Sequence, residues 1–262
     1  MIEIVDSTGE ARYLMDAPEG PPRLKWAVYG DVPETPMVPR ANWQPADLSA
    51  LCPPIKDQDG EGACNAFATV NVLEALRALA GLPPVRLSPG WLYGNINGQC
   101  DQGSLLEDAL RWAMDSGTCT AATVPELAWR RSDWPASAAA EARRFRLLEA
   151  YWCPTFEHVA SAIQSGFFVD MGVLWYENYT PDASGWLPPP RGRAGGHAIM
   201  GARLVQDGSR WGAGFPNSWG PRWGLGGWGV LPEGAFGRDV GGMWAGRAVV
   251  TEDLDTPSPK EE

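Results

Sequence analysis

The chain has 262 residues, 44% of them hydrophobic and 20% charged, which is typical of a folded globular protein with one large or two modest cores. Its formal net charge of −11 argues against nucleic acid or an anionic membrane as a main partner, because both favour clustered Lys and Arg; the simpler interpretation is that the acidic excess aids solubility. The absence of an 18-residue apolar run and of a secretory leader predicts a cytoplasmic location.

The two ends of the chain differ in composition from the rest. Residues 1–45 are rich in proline and acidic residues and include a strand-like fragment, Leu24–Tyr29, so we interpret them as an arm that packs on the domain. Residues 251–262 are polar, acidic and contain proline, which predicts a flexible tail. Residues 46–250 then form the main domain.

The first half of that domain is predicted to be helical. A helix begins near Cys64 and ends at about residue 80, before Gly81. Its buried face is predicted to contain Phe67, Val70 and Leu73, with Asn65 and Asn71 off that face.

Three further helices follow in the sequence. Ser104 with Glu107 three residues later forms a capping-box pattern, which predicts a helix from Ser104 to Asp115. Apolar spacing predicts two more helices at about 137–149 and 156–164. From residue 167 to Val250 the signals are those of strands and turns, so the fold class is α+β.

Cys64 stands where a glycine-rich loop, Gln58–Gly62, leads into the first helix. A thiol at a helix N-terminus lies at the positive end of the helix dipole, which lowers its pKa and favours the nucleophilic thiolate. Gln58 is on the same loop and can direct an amide N–H to the same place. The pattern therefore predicts a reactive cysteine.

Only two histidines are available as its base. His158 lies beside the apolar stripe of the helix at 156–164 and is interpreted as a helix-surface residue. His197 lies in a short, glycine-led apolar run that is typical of a buried strand, and Asn217 follows a second strand-like run, 210–215. Neighbouring strands would bring the two together, so that Asn217 fixes the imidazole tautomer.

These residues, in the order Gln58, Cys64, His197, Asn217, resemble the papain family of cysteine peptidases. The matching motifs are Gly62-Ala63-Cys64, Gly196-His197-Ala198 and Asn217-Ser218-Trp219-Gly220, and further segments are similar to the bacterial and viral branch that lacks a long inhibitory propeptide. The resemblance covers residues 45 to 250. It implies a two-part fold, with a helical N-terminal half, an antiparallel sheet or barrel in the C-terminal half, and the active-site cleft between them.

The resemblance also implies a role for each matching residue. Cys64 attacks the scissile carbonyl, His197 exchanges its proton, and Asn217 orients His197. Gln58 and the backbone N–H of Cys64 form the oxyanion hole. The resemblance further implies that Trp219 shields the Asn–His contact, and that Gly103 and Gly196 take part in substrate binding.

Three positions depart from the family pattern. Asn65 follows the nucleophile where the plant and lysosomal members have tryptophan, and Glu61 stands where they have a disulfide cysteine. Pro216 precedes Asn217 and cannot donate to a strand ladder, so we expect an edge or a bulge there. These differences concern substrate preference more than chemistry.

The remaining cysteines are Cys52, Cys100, Cys119 and Cys153. They show no C-x-x-C spacing, and with two histidines this argues against a zinc site, so we expect neither metal nor cofactor. The four can pair in three ways, although reduced thiols are favoured in the cytosol. Seven tryptophans between 175 and 244 are interpreted as core and wall packing, with a carbohydrate or peptide platform as the alternative.

The sequence thus predicts a thiol peptidase acting on a peptide or protein substrate, cytoplasmic or virion-associated. Two alternatives stay open. One is a papain-like domain kept as a binding or structural module, and the other is an acyl transferase or isopeptidase that uses the same acyl-enzyme.

Overall fold

The computed structural model describes residues 2–14, 36–237 and 240–249, and the described chain is a mixture of helices and antiparallel strands. The helices are α1 (Cys64–Leu79), α2 (Pro89–Ile96), α3 (Leu106–Asp115), α4 (Ala138–Ala142) and α5 (Phe156–Gln164). The strands are β1 (Ile2–Val5), β2 (Ala11–Leu14), β3 (Ala46–Asp47), β4 (Leu147–Trp152), β5 (Phe168–Tyr176), β6 (Ala194–Gly201), β7 (Arg203–Asp207), β8 (Arg210–Pro216), β9 (Trp228–Pro232) and β10 (Val240–Val249). This arrangement confirms the predicted α+β class.

The strands form two four-stranded antiparallel sheets and a separate hairpin. One sheet has the order β4-β10-β5-β6, the other has the order β3-β7-β8-β9, and β1 pairs with β2. The chain passes from the first sheet to the second at Ala202, whose N–H donates to the carbonyl of Gly214 at 2.9 Å. This short crossing holds β6 against β8 although the two strands do not pair.

Helix α1 is the central helix and packs against β5, β6 and β10. It is buried on every side from Cys64 to Leu76, as is typical of a core helix rather than an amphipathic one. Asn65 and Asn71, predicted to lie off the buried face, are therefore buried as well. Asn71 is compensated because its Oδ1 accepts a hydrogen bond from the buried Lys56 Nζ at 2.9 Å.

The sequence prediction missed helix α2. Its signals are present, since the Ser88 hydroxyl accepts from the backbone N–H of Trp91 at 3.0 Å and Pro89 occupies the first helical position. A Cβ at Gly94 would lie 1.9 Å from the carbonyl oxygen of Trp129. The glycine that weakens the helical pattern is thus required for close packing.

Two predicted helices differ from the structure at their ends. Helix α3 begins at Leu106 without a side-chain cap, so the capping-box prediction was wrong. Ser104 instead accepts a hydrogen bond from Asn65 Nδ2 at 3.1 Å. Helix α4 covers only the alanine-rich start of the predicted 137–149 helix, because the following residues pair with β10 as strand β4.

Pro216 ends strand β8. That strand lies between β7 and β9, but its pairing with β7 stops at Gly214, so Phe215 and Pro216 pair with β9 alone. Pro216 therefore occupies an edge position, as predicted, and its missing N–H costs no ladder bond.

The start of the chain packs on the main domain. Ile4 and Leu14 of the β1–β2 hairpin are buried in the same apolar cluster as Trp43 and Trp219. The predicted fragment Leu24–Tyr29 and the predicted tail, 251–262, lie outside the described residues. Within the described ranges, none of the helices has the length and apolarity needed to cross a membrane.

Candidate active site

Cys64 is the first residue of α1 and is only 5% exposed. The N-cap residue, Ala63, has no side chain able to cap, so the first N–H groups of the helix remain available near the thiol. The Cys64 thiol therefore lies at the N-terminus of α1, where the backbone N–H groups of Cys64 and Asn65 hydrogen-bond to it.

His197 is held in one tautomer by Asn217. Oδ1 of Asn217 accepts the backbone N–H of Ser218 at 2.9 Å, which identifies that atom as the oxygen of the amide. The same oxygen lies 2.9 Å from His197 Nε2, so Nε2 carries the proton. In a neutral ring Nδ1 is then the proton acceptor, and it is buried with no hydrogen-bond partner among the described residues.

Two tryptophans enclose the imidazole. The ring of Trp219 lies 4.8 Å from that of His197 at 36°, and Trp175 lies 4.9 Å away at 75°. Burial lowers the pKa of His197 to about 4; the hydrogen bond that His197 Nε2 donates to Asn217 opposes this effect, and the charge of Arg12 adds to it. The isolated imidazole is therefore neutral at pH 7.

The pKa of the Cys64 thiol differs from the prediction. Burial raises it to about 11, although the backbone amides of Ala198 and Asn65 act in the opposite direction. Desolvation therefore outweighs the helix N-terminus, and the prediction of a lowered pKa was wrong for this state. Thiol and imidazole are both neutral here, so a thiolate forms only together with an imidazolium partner.

Gln58 is buried and its side chain is fixed at both ends. Its Oε1 accepts from the Ser218 hydroxyl at 2.5 Å, and its Nε2 donates to the carbonyl of Glu61 at 2.7 Å. An amide nitrogen has two hydrogens, so one N–H remains for a further acceptor. The backbone N–H of Gln58 also donates to the carbonyl of Ser218 at 2.8 Å, which joins this loop to the one that carries Asn217.

The two predicted substrate glycines lie in different surroundings. Gly103 adopts a φ of 82°, which favours glycine, and its N–H donates to the hydroxyl of Tyr93 at 3.0 Å. Gly196 pairs with Leu174 within the first sheet, one residue before His197.

The other histidine and cysteines lie apart from this cluster. His158 is on α5, where its Nδ1 lies 2.9 Å from the hydroxyl of Thr155. None of the five cysteines, all of them within the described residues, forms a disulfide bond, and Cys100 is the exposed one. Among the described residues, no group of three or more His, Cys, Asp or Glu side chains is placed to hold a metal ion.

Solved structures show what the arrangement resembles. Xylellain, a cysteine protease from Xylella fastidiosa, aligns with a TM-score of 0.72 and 18% identity, covering 90% of this chain and 97% of its own. The cysteine protease and lectin-like domains of Cwp84 from Clostridium difficile align with a TM-score of 0.69 and 18% identity, over 86% of this chain and 55% of theirs. The chain has the papain-like fold.

A plant structure extends the comparison. Bromelain from Ananas comosus, in complex with the E64 inhibitor, aligns with a TM-score of 0.61 and 19% identity over 78% of this chain and 99% of its own. No protein-family model matches the sequence, and no curated protein matches it either. The papain-like fold is thus kept at identities below 25%.

Glu61 and Asn65 are the two positions near Cys64 at which the sequence departs from the pattern of the plant and lysosomal papain-like proteins. Glu61 accepts from the Trp129 indole at 3.1 Å, and burial, together with the nearby charge of Asp101, raises its pKa to about 7. Asn65 donates to the hydroxyl of Ser104 and to the carbonyl of Leu105 at 2.5 Å. Glu61 therefore connects the loop before Cys64 to Trp129, and Asn65 connects the start of α1 to the segment before α3.

Sequence reasoning missed Trp175 and Tyr93 as site residues. Trp175 had a usable signal, since β5 pairs with β6 and alternate residues of a strand share one face. Val173 lies opposite His197, so Trp175, two residues on, points to the same face. Tyr93 lies in α2, whose helix signals at Ser88 and Pro89 were present but were not used, and nothing in the sequence marks it as a partner of Gly103.

Proposed function

We propose that the protein is a cysteine-type peptidase that hydrolyses peptide bonds through an acyl-enzyme on Cys64. The observation that carries the proposal is the state of His197, whose Nε2 is bound by Asn217 while its buried Nδ1 has no partner in the described structure. An unpartnered buried acceptor has an energetic cost and is explained if it serves as a base. The papain-like fold supports the same assignment.

In the first step, the Cys64 thiol transfers its proton to His197 Nδ1 and its sulfur attacks the substrate carbonyl carbon. The C–S bond forms, and the carbonyl electron pair moves to the oxygen. The resulting imidazolium remains hydrogen-bonded to Asn217 Oδ1, and the indoles of Trp219 and Trp175 keep water away from it. Because burial disfavours each charge separately, thiolate and imidazolium are stabilised as a pair.

The oxyanion is stabilised by preorganised donors. The remaining N–H of Gln58 Nε2 and the backbone N–H of Cys64 are assigned this role. Gln58 needs no reorganisation, because Ser218 and Glu61 already hold its amide. A single donor of this kind is worth roughly 10²–10³ in turnover.

The second half of the reaction releases the acyl group. The imidazolium gives its proton to the leaving amine as the C–N bond breaks. A water molecule then loses a proton to His197 Nδ1 and attacks the thioester, which returns the thiol and frees the carboxylic acid. Gly103 and Gly196 are the proposed contacts for a peptide or protein substrate, and neither nucleic acid nor a membrane has a role.

The test is covalent labelling of the full-length reduced protein with an epoxide inhibitor of thiol peptidases, mapped by mass spectrometry. We expect a single adduct, on Cys64, formed without labelling of the exposed Cys100. His197→Ala should abolish the adduct, and His158→Ala is the matched control that should leave it unchanged. Equal reaction of Cys64 and Cys100, unaffected by His197→Ala, would contradict an activated site.

Turnover then separates peptidase from the alternatives. Hydrolysis of a peptide library by the wild type, lost in Cys64→Ala, supports the peptidase. Products whose mass includes an added amine indicate an acyl transferase instead. Labelling of Cys64 without any turnover would favour a papain-like binding module.

A further inference from the structure

Arg12 of strand β2 is a charged residue that the proposed chemistry does not use, and its side chain is only 2% exposed. Within its own hairpin, Nε donates to Asp6 Oδ2 at 2.9 Å and Nη2 donates to Glu10 Oε2 at 2.6 Å. The Asp6 side chain is itself fully buried. The Arg12 guanidinium is therefore buried and held in a fixed orientation where the hairpin contacts the main domain.

The other N–H groups of Arg12 reach two loops of the candidate site. Nη1 donates to Asp57 Oδ1 at 2.7 Å and to the carbonyl of Asp59 at 3.1 Å, so it holds the residues on both sides of Gln58. Nη2 donates to the carbonyl of Trp219 at 3.1 Å. All five donors of the guanidinium are thus satisfied, in a fork that an ammonium group cannot reproduce.

The two loops also bind each other at this point. Asp57 and Trp219 form an antiparallel bridge, and the N–H of Gly220 donates to the carbonyl of Lys56 at 3.0 Å. Arg12 spans this junction from the hairpin side. Because one loop carries Gln58 and the other carries Asn217, the junction sets the distance between the proposed oxyanion donor and the group that orients the base.

Arg12 also approaches the imidazole through Trp219. Its guanidinium carbon lies 5.8 Å from the centroid of the Trp219 ring, and that ring lies 4.8 Å from His197. The positive charge of Arg12 contributes to lowering the pKa of His197. A displacement of the guanidinium therefore affects both the position of Trp219 and the charge near the base.

We propose that Arg12 is a positioning residue of the active site, and that the β1–β2 hairpin is consequently a part of the catalytic unit. The proposal rests on the peptidase assignment for its role in turnover. Its geometric content, the placement of Gln58, Asn217 and Trp219, is independent of the substrate.

The test compares Arg12→Lys with Arg40→Lys in the full-length protein. Arg40 is a matched control, since its guanidinium also binds a carboxylate, Glu233, and lies 4.8 Å from a tryptophan ring, Trp43. We expect Arg12→Lys to lower kcat and the rate of Cys64 alkylation about tenfold, with a smaller change in KM, because small misplacements of reacting groups cost that much. Arg40→Lys should change neither.

A titration adds a readout that simple loss of stability would not give. The ring signals of His197 report its protonation state in NMR spectra. Arg12→Met removes the charge and should raise the pKa of His197. Asp57→Ala is the substitute test if the Arg12 variants do not fold. It removes one Arg12 contact at a side chain that is 44% exposed, and it should also lower kcat.

Failure of the Arg12 positioning role and failure of the peptidase assignment give different results. Unchanged kcat and alkylation in folded Arg12→Lys, or in Asp57→Ala if Arg12→Lys is unfolded, would overturn the positioning role. If the wild type turns over no peptide, the peptidase proposal fails, and slower Cys64 alkylation in Arg12→Lys still supports the positioning role.

Discussion

The hydroxyl of Tyr93 accepts the backbone N–H of Gly103 at 3.0 Å and donates to Asp101 Oδ1 at 2.6 Å. Asp101 Oδ1 also accepts the N–H of Gly62 at 2.9 Å, two residues before Cys64. One phenol therefore links the loop that precedes Cys64 to the segment around Gly103 that is proposed to bind substrate.

Tyr93→Phe removes both hydrogen bonds and leaves the ring in place. We expect a several-fold rise in KM with a smaller change in kcat, because Gly103 loses its anchor while the hydrogen bond between His197 and Asn217 is untouched. Stability should fall by about 1 kcal/mol. Steady-state kinetics on a peptide substrate check this, and Tyr151→Phe makes the same chemical change on β4, outside the candidate site.

Trp219→Leu should expose the bond between His197 and Asn217 to water. The Nε2–H proton of His197 is expected to exchange faster in NMR spectra, and kcat should fall by about tenfold to a hundredfold as the imidazole loses its orientation. Trp134, which packs on Trp91 in a separate cluster, provides the control Trp134→Leu. Unchanged exchange in Trp219→Leu would show that the indole does not shield the pair.

Asp170 makes stability depend on pH. Burial raises the pKa of this carboxyl to about 7 from an ordinary value of 3.8, although Thr69 donates a hydrogen bond to it at 2.6 Å. Because the folded pKa is raised, the unfolded chain loses this proton first, and the protein loses stability as the pH rises from about 4 to about 7.

Asp170→Asn should remove that dependence, since an amide does not ionise. The stability of the variant relative to wild type should increase between pH 4 and pH 8, by an amount on the order of 4 kcal/mol for a shift of about three pKa units. Urea unfolding at the two pH values measures it. The variant should also react faster at Cys64, because the negative charge of Asp170 contributes to raising the pKa of that thiol.

Lys56 and Glu74 form a buried ion pair at 2.8 Å, with side chains 0% and 6% exposed. Lys56→Met leaves the carboxylate without its partner and should destabilise the protein by about 3–5 kcal/mol. Adding Glu74→Gln should recover part of this loss, because the amide oxygen still accepts the N–H of Leu87 that Glu74 Oε1 accepts at 2.7 Å. Thermal unfolding of both variants gives the comparison.

The sequence predicted the elements whose signals are local. A glycine-rich loop before an apolar run predicted that a helix begins at Cys64, and the glycine-led apolar run around His197 predicted a strand. Asn217 was placed correctly next to His197, although through a wrong pairing: the two strands belong to different sheets. Chain order and residue type were enough to predict that His197 and Asn217 are in contact, but not that their strands belong to different sheets.

The contacts that sequence reasoning missed join residues far apart in the chain. Arg12 and Trp219 are 207 positions apart, and no local pattern marks Arg12 as a buried cation. The raised pKa of Cys64 was missed for a similar reason. It comes from burial, which only the folded protein shows, whereas a helix N-terminus can be predicted from the sequence. Helix α2 is different, because the Ser88-Pro89 signal was present and was not used.

The crossing at Ala202 has a consequence for how the protein matures. Cys64 stands on the central helix, His197 on the first sheet and Asn217 at the end of a strand of the second. Such long-range pairings form late in folding, after the slow closure of large loops. The three side chains of the proposed site therefore come together only after both sheets have docked on α1, so the site is assembled at the end of folding and not before.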